Sequence, residues 1–99
     1  MRMMLKVTIP TEAGNKAILD GSLPKTMMGF AEQFKPEAAY FSSDNGDRAA
    51  FFFFDMTDAT QMPAVCESFF LHLNAKIQLS PAMSPADMQA GIAKAMKHS

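Results

Sequence analysis

Apolar and polar positions change their period several times along the chain, and each change marks an element. Met3, Leu5, Val7 and Ile9 alternate with Met4, Lys6 and Thr8, the period of two expected of a strand with one apolar face, and Pro10 ends it. From Thr11 the spacing turns helical: Ala17, Ile18, Met27, Met28, Ala31 and Phe34 can share a face, and Glu12 suits the positive end of the helix dipole. Asp20-Gly21-Ser22-Leu23-Pro24 interrupts this helix. Either Pro24 kinks one long helix or Ser22 caps a second segment, and a break or kink is expected there. Lys35-Pro36 closes the segment, and a second strand runs from Ala38 to Ser43.

The most informative stretch is Phe51-Phe52-Phe53-Phe54. In a strand, Phe51 and Phe53 point to one side of the sheet and Phe52 and Phe54 to the other. Each ring carries roughly 150 to 250 Å² of surface, so one uncovered pair would expose about as large an apolar patch as a monomer usually shows. The run is therefore read as a central strand with both faces covered. Asn45-Gly46 before it supplies the positive φ angles of a type I′ hairpin turn. That turn sets Ser43 opposite Arg48, Phe41 opposite Ala50, Tyr40 opposite Phe51, Ala39 opposite Phe52 and Ala38 opposite Phe53, so that large side chains mostly face small ones.

Beyond Asp55, Asp58 and Gln61 form a capping-box-like pair, while Pro63 favours a helix start nearer Thr60. Met62, Val65, Cys66, Phe69 and Leu73 make its buried stripe, and Asn74 suits its left-handed end. Ala75 to Ser80 alternates as a fourth strand that Pro81 stops. Ser84 as N-cap and Pro85 at the first helical position open a terminal helix with Met88, Ile92 and Met96 on one face, filler for a core or an interface.

Strand, helix, strand, strand, helix, strand and an extra C-terminal helix is the order of a ferredoxin-like βαββαβ domain, an α+β fold. Right-handed crossovers put the main helices on one face of a four-stranded antiparallel sheet, with the first and third strands central. No linker or repeat divides residues 1–99, so a single domain is expected. The segment Lys35 to Phe41, through Asn45-Gly46 to Phe51-Phe52-Phe53-Phe54-Asp55-Met56, resembles uncharacterised small bacterial members of the dimeric α+β barrel superfamily. The resemblance implies a homodimer in which two sheets meet face to face and bury the second phenylalanine pair. Relatives in that superfamily include antibiotic-biosynthesis monooxygenases, muconolactone-isomerase-like enzymes and haem-degrading enzymes. The first of these commonly use a tryptophan, and this chain has none.

Composition narrows the function further. With 48% hydrophobic residues, 19% charged residues and a net charge of -1, the chain shows no basic excess for nucleic acid. No apolar run has membrane-spanning length, and Lys6 and Pro10 break any signal-peptide core. The single Cys66 excludes an intrachain disulfide and fits a reducing compartment, so a cytoplasmic location is expected. No histidine or carboxylate spacing suggests a metal site, and no cofactor is expected.

If Leu5, Val7, Ile77 and Leu79 face the helices, then Lys6, Thr8, Lys76 and Gln78 face the other way together with Tyr40, Ser42, Phe51, Phe53 and Asp55. Aromatic surface with a few polar handles suits a small-molecule site, and two lysines favour an anionic or aromatic ligand. The competing reading is that these residues merely satisfy one another within a dimer interface. Tyr40 and His72 are the candidates for proton transfer if the protein is instead a cofactor-independent enzyme acting on a phenol or lactone. A third possibility is a purely structural dimerisation module. His72 lies near a helix end, where a cation also complements the dipole, and His98 sits in the terminal tail.

Overall fold

The computed structural model describes residues 1–98. Its elements are β1 (Arg2–Ile9), α1 (Thr11–Asp20), α2 (Ser22–Phe34), β2 (Ala38–Asp44), β3 (Asp47–Asp55), a 3-10 turn (Ala59–Gln61), α3 (Met62–Leu73), β4 (Lys76–Pro81) and α4 (Pro85–Lys97). The four strands form one antiparallel sheet in the order β2-β3-β1-β4. This is the ferredoxin-like α+β arrangement with an added C-terminal helix, and it puts the phenylalanine strand in the middle.

The hairpin register is the one the turn chemistry predicts, from Ala38 opposite Phe53 to Ser43 opposite Arg48. Asn45 and Gly46 have φ of 50° and 84°, the left-handed conformations that a type I′ turn needs. The first helical region is broken rather than kinked. Gly21 at φ 81° ends α1 with its N–H on the Ile18 carbonyl and begins α2. Ser22 is the first residue of α2, not its cap, and its backbone N–H donates to Asp20 Oδ1 at 2.8 Å. Pro24 is tolerated because the early N–H groups of a helix lack intrahelical partners.

The core lies between the sheet and α1 to α3. Met3, Leu5, Val7 and Ile9 of β1 and Ala50, Phe52 and Phe54 of β3 supply the sheet side, and Ala17, Met27, Phe30, Val65, Cys66, Phe69 and Leu73 supply the helix side. Phe30 organises it, with ring centroids 4.8 Å from Phe52, 5.3 Å from Phe54 and 5.6 Å from Phe69. Phe34 adds an edge contact to Phe54 at 5.5 Å. Such offset and edge-to-face pairs add about 0.5–1.5 kcal/mol each beyond the area they bury.

Several expected burials are corrected. Met62 is 45% exposed: it opens α3 in phase with Cys66, but with Phe70 it lies on the side of the helix that borders an open groove over β4 and not on the arc packed against the sheet. Ile18 and Met28 are exposed as well, since each stands about 100° round its own helix from the buried Ala17 or Met27 and falls outside the arc that faces the sheet. Phe30, absent from the expected stripe, takes the central place. Pro81 is the last residue of β4 and not a stop before it, and the next residue, Ala82, donates its N–H to the Arg2 carbonyl. Pro81 is tolerated because β4 is an edge strand.

Candidate functional site

Residues opposite one another in an antiparallel register share a face, so the strand pairings fix the composition of the side of the sheet that α1 to α3 do not cover. Three rows cross it. Ser80, Met4, Phe53 and Ala38 form the first, Gln78, Lys6, Phe51 and Tyr40 the second, and Lys76, Thr8, Ala49 and Ser42 the third. All of Lys6, Thr8, Tyr40, Ser42, Phe51, Phe53, Lys76 and Gln78 therefore lie on one surface. Phe51 and Phe53 are half-buried by their neighbours, whereas Tyr40 on the edge strand is 66% exposed.

The electrostatics of this surface are set by one crossing contact. Lys6 Nζ reaches Asp44 Oδ2 at 2.9 Å, which takes it from β1 across β3 to β2, and it stands 5.9 Å from the centroid of the Phe51 ring. Ala49 lies between the two partners in register and is 4% exposed. A larger residue there would stand in the path of the lysine. Lys6 is thus held as an ion pair over aromatic surface, and Lys76 at the far edge is exposed. Asp44 is the part of this constellation that sequence reasoning missed. Its period with Tyr40 and Ser42 places it on the same face, but the turn signal at Asp44-Asn45-Gly46 drew attention to its loop chemistry instead.

The two candidate proton-transfer residues do not meet. Tyr40 is on the open face, while His72 is exposed near the end of α3 on the helix side and borders two clefts there. The larger of these lies between α2 and α3, has a volume of about 360 Å³ and is lined by residues including Lys25, Gly29 and Ser68. Within one chain the sheet separates the two side chains, so they cannot pass a proton between them. His98 lies at the end of α4, exposed. Cys66 is buried among apolar neighbours, and that burial, with a smaller contribution from Glu67, pushes its thiol above the usual range, away from the thiolate a nucleophile needs. Among the described residues no group of three or more His, Cys, Asp or Glu side chains could hold a metal ion, and no helix is long and apolar enough to cross a membrane.

At the end of β1, the Met1 ammonium donates to Asp55 at 2.6 Å and Arg2 Nε donates to Glu37. The Glu37 carboxylate raises the pKa of the Arg2 guanidinium, first through this hydrogen bond and then through its charge. Arg2 also stands 3.6 Å from Asp87 at the start of α4. Arg2 and Asp55 are partners in register on the same face as Met4 and Phe53, so these contacts close one end of the open face. In comparison with known proteins, no family model matches this chain and no curated protein matches it.

Proposed function

We propose that the protein acts as a homodimer joined through the open face of its sheet, and that the space between the two sheets holds a small aromatic or anionic molecule. The observation that carries this is the contiguous surface of Met4, Phe51, Phe53 and Tyr40 on the side opposite the helices. Apolar surface of that kind is stabilised by a second copy of itself, because a twofold contact requires a self-complementary patch. The polar groups around it, Lys6 with Asp44, Thr8, Ser42, Lys76 and Gln78, are the few handles that would orient a ligand among aromatic walls. A ligand carboxylate would compete with Asp44 for Lys6 or pair with Lys76.

Sedimentation velocity at micromolar concentration is expected to show a dimer, and Tyr40→Glu is expected to shift it towards monomer by about tenfold or more in Kd, through repulsion between carboxylates brought together by the twofold. A stable wild-type monomer would overturn the proposal. Thermal shift with benzoate and salicylate tests the ligand, with a response expected in the wild type and weakened in Lys76→Ala and Lys6→Ala. A dimer that responds to neither acid would leave only the structural role.

A further inference from the structure

The apolar face of α4 and a groove beside α3 match each other in kind and in spacing, yet they do not meet within one chain. α4 contains no buried residue. Its Met88, Ile92 and Met96 are 49%, 55% and 62% exposed. At 100° per residue they form one stripe, and the charged Asp87, Lys94 and Lys97 fall on the opposite side. Ala95 and Gly91 flank the stripe on one side, where another helix could approach closely, and Gln89 and Ala93 lie on the other. The groove lies along the outer side of α3 over the edge strand β4, with a volume of about 540 Å³; Met62, Cys66 and Phe70 of α3 and Ile77 and Leu79 of β4 make its apolar lining, and Pro63 and the charged Glu67 also border it. Met62, Cys66 and Phe70 repeat at the same i, i+4, i+8 spacing as the α4 stripe, the ridge that helix packing uses most often. No α4 residue lines it.

We infer that α4 of one copy docks into the α3–β4 groove of a second copy, and that the exchange is reciprocal. The base of α4 is fixed in its outward course. Ala82 donates to the Arg2 carbonyl at 3.1 Å, Asp87 lies 3.6 Å from Arg2, and Ser84 and Asp87 close a complete capping box. The molecule accordingly extends 54 Å along its longest axis against 28 and 19 Å across. An arm held away from its own groove by these contacts finds the equivalent groove on a neighbour, and a twofold axis closes the exchange without leaving a free end. The size suffices. A 13-residue helix is ~20 Å long and ~10 Å wide, so laying one face in a groove removes on the order of 700 Å² of surface. Two such contacts bury about 1,400 Å², within the range of specific interfaces. The partner helix would add a fourth member to the helix layer and cover Phe70 and Met62, which are 44% and 45% exposed in the single chain.

This exchange goes beyond the sheet-face dimer and does not need it. The native Cys66 provides the test. Ile92 is the middle of its stripe and Cys66 the middle of the groove's, so they face each other whichever way the helix runs. The full-length Ile92→Cys chain, oxidised, is expected to run as a disulfide-linked dimer on a non-reducing gel. A chain carrying Cys66→Ala and Ile92→Cys, mixed with wild-type chain, is expected to give the same mixed dimer, and alone to give none. Circular dichroism checks that the doubly substituted chain is folded, and the singly substituted chain keeps Cys66 should it not be. An intramolecular disulfide between Cys66 and the introduced thiol, which migrates as a compact monomer, would overturn the inference in favour of return to the chain's own groove. Because burial raises the pKa of the Cys66 thiol, oxidation is run at alkaline pH. A second pair uses the exposed groove position Phe70, in a Cys66→Ala, Phe70→Cys chain mixed with a Cys66→Ala, Ile92→Cys chain. Absence of a disulfide in both pairs, or a product joined only through two Ile92→Cys thiols, also overturns the inference. A dimer in the ultracentrifuge without the cross-link defeats the exchange and leaves the sheet-face proposal standing. Cross-linking that survives Tyr40→Glu supports the exchange independently of the sheet face.

Discussion

Phe52 and Phe54 differ from Phe51 and Phe53 only in which side of the same strand they occupy. The first pair is 2% and 1% exposed, locked against Phe30, Phe34 and Phe69. The second pair is half-buried beneath nothing but its own sheet neighbours. Identical residues at adjacent positions therefore have different tasks, one holding the chain together and the other presenting a surface. What separates them is that α1 to α3 all pack on a single side of the sheet.

The largest expected effect breaks the helix side. Phe52→Ala should cost about 3–5 kcal/mol in urea unfolding, because it opens a cavity among packed rings. Phe51→Ala should cost about 1–2 kcal/mol in the monomer, since only part of its surface leaves water on folding, and should act mainly on association. Equal losses at the two positions would erase the distinction between the faces. Next comes the device that assigns the faces. Gly46→Ala forces a Cβ into the left-handed region at φ 84°, and a loss of about 1–2 kcal/mol is expected in the same assay. A smaller effect sharpens the open face alone. Lys6 and Asp44 are partly exposed, so Asp44→Asn should change stability by about 0.5 kcal/mol and less in high salt.

The smallest effect lies outside both faces, at the base of α4. The carboxyl of Asp87 is held below its usual range, first by the Ser84 backbone N–H, then by the Ser84 hydroxyl, and last by the charge of Arg2. A folded pKa below the unfolded one means that this contribution is present above the unfolded carboxyl pKa and is lost as pH falls through the folded value. Far-UV circular dichroism should show α4 helicity falling on acidification, and Asp87→Asn should remove that part of the change. Ser84→Ala should weaken the same helix at neutral pH with little effect on the core melt, because α4 buries no residue.

Much of the fold was legible because local periodicity and turn chemistry act over a few residues. Asn45-Gly46 fixed the hairpin, and the hairpin fixed which phenylalanines share a face with Tyr40. Ser84 and Pro85 located the start of α4. Less legible were the positions whose fate depends on a distant neighbour. Met62, Ile18 and Met28 stand close to buried residues of their own helices and are exposed, because the arc of each helix that meets the sheet is set by where the whole helix settles. The Lys6–Asp44 pair required two strands separated by a third to come into register, which no local signal encodes.

By itself, then, the sequence determined the order of elements, the hairpin register and the division of the four phenylalanines into two pairs. Side chains alternate along a strand whatever surrounds it. Only the tertiary structure decided that Phe52 and Phe54 receive the helices, that Lys6 pairs with Asp44, and that α4 leaves its apolar stripe outside the core. Those outcomes depend on where whole elements settle against one another, and packing over the entire chain sets that.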